Sequence, residues 1–226
     1  MLIKICGTTS EDDALLAVAM GANAVGFIFA PSPRQVSPQR VADIVKRLPR
    51  EDLITVGVFR DDAPRRVVEV VYSAGLQAAQ LHGRETPDEA QWIRQRVPMV
   101  LKAFPAGDAR VARAGEYGVD AVLLDATNPG SGQLFDWALA GDMPEGQRLV
   151  IAGGLNAGNV AAAVMRMKPW GVDVTSGVEA SPGLKDPMKL KAFIEAARRA
   201  EQQLAAASAK MAGSSSIGPY DWADDE

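Results

Sequence analysis

Eight short apolar runs, each followed by an amphipathic or turn-forming segment, constrain this chain more than any other feature. The runs are Leu2 to Cys6, Ala24 to Phe29, Ile54 to Phe59, Gln77 to Leu81, Met99 to Ala103, Ala121 to Asp125, Leu149 to Ala152 and Val172 to Thr175. They are nearly continuous rather than alternating, which is how strands buried on both faces of a parallel sheet read. Helical patterns lie between them. Ser10 precedes Glu11 to Met20, whose acidic first turn suits the helix dipole, and Gly21 ends it. Ser37 and Pro38 open a second helix, and Asp62, Ala63 and Pro64 open a third that runs to Ala74. Thr86 and Glu89 have the spacing of a capping box around Pro87. Asp108 to Tyr117 and Leu134 to Leu139 read as shorter helices. Asn156 opens Ala157 to Met167, and Asp186 with Pro187 opens the last, which runs to Ala207.

Parallel neighbours need right-handed crossovers, so strict strand–helix alternation predicts a single-domain α/β fold, a (β/α)8 TIM barrel over residues 1–207. A doubly wound open sheet is the competing arrangement. Residues 208–226 read as a flexible acidic tail. Its Ala212-Gly213-Ser214-Ser215-Ser216 stretch is linker-like, and Tyr220 and Trp222 near its end either dock or stay free.

Composition narrows the function. The 226 residues are 47% hydrophobic and carry a formal net charge of -4, enough for a sizeable core and a poor match to a nucleic-acid binder. The one cysteine excludes an intramolecular disulfide, and with one histidine it leaves too few ligands for a Cys/His zinc site. No metal site is expected. The opening segment lacks the basic and long apolar regions of a signal peptide, and no window has the uninterrupted apolar length of a membrane span. A soluble, cytoplasmic protein without a membrane partner is the expectation.

Reactive groups in a barrel of this kind sit at the C-terminal ends of strands. Cys6 ends the first run and is a base, a nucleophile or a small buried apolar residue. Asp125 ends the sixth, before the glycine-rich Ala126-Thr127-Asn128-Pro129-Gly130-Ser131-Gly132, which reads as a lid; the alternative is a capping or salt-bridging Asp. Gly153 and Gly154 follow the seventh run, and Ser176 and Gly177 the eighth. These loops form a phosphate cradle or merely tight turns. Arg34, on the proline-stiffened loop after the second run, either grips a carboxylate or is an ordinary surface arginine. His82, ending the fourth, either contacts substrate or is structural.

Taken together, Lys4-Ile5-Cys6-Gly7, Gly26-Phe27-Ile28-Phe29, Ser32-Pro33-Arg34, Gln80-Leu81-His82-Gly83, Leu124-Asp125, Gly130-Ser131-Gly132-Gln133, Phe135-Asp136-Trp137, Ala152-Gly153-Gly154-Leu155 and Ser176-Gly177-Val178-Glu179 resemble phosphoribosylanthranilate isomerases in order, from residue 2 to about residue 196. The resemblance implies a cofactor-free Amadori rearrangement of N-(5-phospho-β-D-ribosyl)anthranilate to 1-(2-carboxyphenylamino)-1-deoxy-D-ribulose 5-phosphate in tryptophan biosynthesis. It implies Cys6 as general base and Asp125 as general acid. Arg34 is implied on the anthranilate carboxylate, and Asp173 near the sugar hydroxyls. Gly153, Gly154, Ser176 and Gly177 are implied on the phosphate. Pro129 and Thr175 depart from the common pattern, the first implying a stiffer lid. A histidine-pathway aminoaldose isomerase resembles an Asp/Asp pair instead, and Cys6 argues against it. A catalytically idle barrel is the other alternative. The sequence is compatible with a monomer or a homodimer.

The residues suit this chemistry. Ring opening needs a proton on the ring oxygen, and ketose formation needs the C2 proton removed. A free thiol of pKa ~8.5 is partly ionised at neutral pH, and a nearby cation raises that fraction. Lys4 shares a strand face with Cys6 and is the candidate cation.

Overall fold

The computed structural model describes residues 1–49, 52–125 and 146–214. The expected helix Leu134 to Leu139, the glycine-rich segment after Asp125 and the tail beyond Ser214 lie outside the described residues.

The eight apolar runs become eight parallel strands: β1 (Leu2–Ile5), β2 (Ala24–Ile28), β3 (Ile54–Phe59), β4 (Ala78–Leu81), β5 (Met99–Pro105), β6 (Ala121–Asp125), β7 (Leu149–Ala152) and β8 (Gly171–Val174). They pair in sequence order and close on themselves, β1 against β8, so the open-sheet alternative is excluded. Closure pairs Lys4 with Asp173 and Ile5 with Val174 in register. Cys6 and Thr175 fall just past their strands, although the Cys6 N–H still donates to the Val174 carbonyl at 2.8 Å.

Side chains alternate across each strand, so one parity fills the barrel and the other packs on the helices. Leu2, Ala24, Val56, Ala78, Leu101, Leu123 and Val150 form the inner plug, while Ile3, Ile5, Val25, Phe27 and Val122 belong to the larger outer core. The inward parity continues through Lys4 and Cys6, Gln80 and His82, and Asp125 and Asp173. The same periodicity that seals the bottom of the barrel therefore delivers polar groups to its mouth.

The helices start where the sequence signals them. In α1 (Glu11–Ala19) the Ser10 side chain accepts from the Asp13 N–H, and in α2 (Pro38–Val45) Ser37 accepts from Arg40. The start of α3 (Pro64–Ser73) has no side-chain cap, whereas α4 (Pro87–Arg94) carries the full Thr86–Glu89 capping box. Between β5 and β6, Ala109–Tyr117 is a 3-10 helix kinked at Arg113 rather than an α-helix. The helix after β7, α5 (Val160–Met167), starts later than Asn156. Asn156 is consumed in the preceding turn, its Oδ1 accepting from Gly158 and its N–H donating to Asn159 Oδ1. A small antiparallel hairpin, β9 (Glu179–Ser181) and β10 (Leu184–Lys185), follows β8 without having been anticipated. The last helix, α6 (Pro187–Ser214), extends beyond the expected helix end near Ala207. No helix among the described residues is long and apolar enough to cross a membrane.

Candidate active site

A pocket opens at the C-terminal mouth of the barrel. Its lining includes Cys6, Gln80, His82, Asp125, Gly153, Gly154, Asp173 and Ser176. Its cavity volume is about 140 Å³.

On the β1–β8 side, Lys4 Nζ donates to Asp173 Oδ2 at 2.8 Å, with the lysine fully buried and Asp173 nearly so. Register places the two directly opposite each other across the strand pair, so the ion pair follows from barrel closure. Gly26, on β2, makes room for it. A Cβ there would lie 2.8 Å from Cys6 Sγ and 3.2 Å from Lys4 Nζ, so ammonium and thiol share the space that a side chain would fill.

This arrangement revises the expected state of Cys6. Burial pushes the thiol above its usual value of 9.0, and Asp173 adds to the rise. Lys4 and Lys185 pull the other way without prevailing. The expected cation is present, yet the resting residue is a thiol. Burial alone lowers Lys4, but Asp173 and Cys6 more than offset it and hold the ammonium above 10.5.

A second buried group lies behind Cys6. Lys185 Nζ donates to the Cys6 carbonyl at 2.6 Å and to Glu179 Oε1 at 3.1 Å. Glu179 in turn grips Arg34, which donates from Nε at 2.8 Å and from Nη2 at 2.6 Å. Arg34 lies outside the pocket lining, with its Nε and Nη2 held by Glu179. The Glu179–Lys185 contact behind Cys6 was not read from the sequence. Glu179 stood inside a quoted motif, while Lys185 lay in a hairpin that gave no signal.

Across the mouth, His82 Nε2 lies 3.3 Å from Asp125 Oδ2. The turn carrying His82 is fixed from below by Lys102, which donates to the Gly83 carbonyl at 2.8 Å and to Glu85 Oε2 at 2.7 Å. Asp125 pairs in register with Ala152, so the carboxylate sits beside the Gly153-Gly154 turn. Both glycines have positive φ, 84° and 66°. The loop after β8 begins as a short 3-10 helix, Ser176–Val178, and packs directly on the loop after β7. A Cβ on Gly177 would meet the Leu155 carbonyl oxygen at 1.9 Å, so only glycine lets the two loops close up.

Fold and pocket together define a (β/α)8-barrel enzyme with polar groups gathered at the C-terminal ends of its strands. The sequence profile described as "N-(5'phosphoribosyl)anthranilate (PRA) isomerase" matches residues 3–196. The chain belongs to this family, and it is an isomerase of tryptophan biosynthesis. The N-(5'-phosphoribosyl)anthranilate isomerase of Desulforudis audaxviator is 46% identical over 206 residues, covering 88% of this chain and 98% of that protein. The crystal structure of the Thermotoga maritima phosphoribosyl anthranilate isomerase superposes with a TM-score of 0.80 at 40% identity, covering 88% of this chain and 99% of that one. A further isomerase structure, in complex with reduced 1-(o-carboxyphenylamino)-1-deoxyribulose 5-phosphate, gives a TM-score of 0.77 at 38% identity, with 88% and 98% covered.

Proposed function

We propose that the pocket carries out the Amadori rearrangement of N-(5-phospho-β-D-ribosyl)anthranilate with Asp125 as general acid and Cys6 as general base. One observation carries this reading: groups from β1 and β6 line a single pocket that also contains Gly153, Gly154 and Ser176. Asp125 delivers a proton to the ring oxygen, and the bond from C1 to that oxygen breaks as the anilino nitrogen supplies electrons. The ring-opened iminium is cationic. Its charge joins Lys4 and Lys185 in favouring the thiolate, against the burial that disfavours it. Cys6 then removes the C2 proton, and the enaminol relaxes to the ketose.

The remaining assignments follow the shape of the site. Gly153, Gly154, Ser176 and Gly177 hold the phosphate through their backbone N–H groups and the serine hydroxyl. Asp173 Oδ1 is buried without a hydrogen-bond partner among the described residues, and it accepts from a sugar hydroxyl. His82 contacts the substrate beside Asp125. Arg34 takes the anthranilate carboxylate through the edge that Glu179 leaves open, Nη1, so recognition extends the existing ion pair. The related complex with reduced 1-(o-carboxyphenylamino)-1-deoxyribulose 5-phosphate supports a phosphorylated small-molecule ligand.

The test is loss of anthranilate fluorescence with the substrate generated in situ from anthranilate and phosphoribosyl pyrophosphate. Turnover that falls about 10²-fold or more in both Cys6→Ser and Asp125→Asn supports the assignment. Near-normal turnover in either variant overturns that residue's role.

A further inference from the structure

Gln80 takes no part in the reaction as described, yet it is 1% exposed, on the inward parity of β4, and lines the same pocket. Its Nε2 lies 3.0 Å from His82 Nδ1, two residues further along the same face. An amide nitrogen only donates, so this Nδ1 accepts and carries no proton. The single proton of a neutral imidazole is then on Nε2, which faces Asp125 Oδ2 at 3.3 Å. The other end of the amide, Gln80 Oε1, is buried without a hydrogen-bond partner among the described residues.

We propose that Gln80 is a positioning residue that fixes His82 as the Nε2–H tautomer, so that the acidic proton of Asp125 goes to the substrate and never to the imidazole. The inference rests on the reading of Asp125 as general acid. With Nε2 protonated, Asp125 Oδ2 accepts from His82 while Oδ1 bears the acidic proton. That proton passes to the ring oxygen, the C1–oxygen bond breaks with its electron pair on oxygen, and the remaining carboxylate keeps the His82 hydrogen bond. A bare Nε2 would instead accept the acid's proton and leave an imidazolium–carboxylate pair, a weaker donor to the ring oxygen.

The chain has a single histidine, so 15N-histidine labelling of the full protein reports one imidazole. The expected spectrum at neutral pH shows an unprotonated Nδ1 and a protonated Nε2. Gln80→Glu presents only acceptors to Nδ1 and is expected to move the proton there. It should slow a single turnover by about 10- to 100-fold while leaving KM within about twofold. Gln80→Met keeps the length without the donor and is expected to lose the tautomer preference together with rate. A protonated Nδ1 in the neutral ring of the unsubstituted protein overturns the inference, and so does a Gln80→Glu tautomer change with an unaltered rate. The spectrum is read without turnover, which separates the two claims. An Asp125→Asn variant of full activity removes the acid assignment, whereas a wrong tautomer with an inactive Asp125→Asn removes only the role of Gln80.

Discussion

Lys4 and Asp173 stand opposite each other where the first and last strands of the barrel meet, 2.8 Å apart and shielded from water. The pair ties the closure of the fold to the environment of Cys6. Truncating one member leaves the other charged and buried, so Lys4→Met is expected to cost about 3–5 kcal/mol in urea unfolding. Lys4→Met/Asp173→Asn, which removes both charges, should recover most of that loss. A single variant as stable as the parent contradicts the ion pair.

Cys6 is an acid whose neutral form the fold favours. Its thiolate fraction therefore rises with pH through a value above 9.0. The 13Cβ resonance of the sole cysteine gives the titration directly. Cys6→Ser should lower turnover by about 10²- to 10⁴-fold with the fold intact. A thiol that titrates below the ordinary range would reverse the balance between burial and the two lysines.

Asp125→Asn keeps size and shape but has no acidic proton. Turnover should fall by about 10²- to 10⁴-fold with little change in the affinity for a product analogue, as measured by calorimetry. A pure loss of affinity would make Asp125 a binding residue.

Burial pushes the Glu179 carboxyl up, but Arg34 and Lys185 outweigh it and hold the group below 4.5. For a lowered carboxyl, the stabilisation is full above the unfolded value and is lost as pH falls through the folded one. The unsubstituted protein should therefore lose stability below pH 4.5 more steeply than Glu179→Gln, with the gap between them constant above it. Parallel acid limbs in thermal melts would show that the cluster contributes nothing through this carboxyl.

Gly177→Ala forces the loops after β7 and β8 apart, since its Cβ has no space beside the Leu155 carbonyl. The expected result is a KM raised by about tenfold or more with kcat less affected, because the phosphate grip is uniform binding energy. An unchanged KM would separate this contact from phosphate binding.

The strands were legible because burial on both faces writes continuous apolar runs, and parity then placed Cys6, Asp125, His82 and Lys4 at one mouth. Signals that recruit a second partner misled. Asn156 looked like a helix cap, but its side chain serves the turn before α5. The Arg34–Glu179 pair joins residues 145 positions apart, a distance over which no local pattern speaks. The direction of the Cys6 shift was also hidden, since a neighbouring cation is visible in sequence while the depth of burial opposing it is not.

Barrel closure also sets an order of assembly. Synthesis runs from N- to C-terminus, so Cys6 is made well before β8. Its strand has β2 as its only partner until Gly171–Val174 arrives to complete the ladder. Arg198 on α6 then clasps the start, donating to the Met1 carbonyl at 3.0 Å and to Asn23 Oδ1 at 2.6 Å. The thiol is thus made long before β8 and Lys185, the later segments that complete its surroundings.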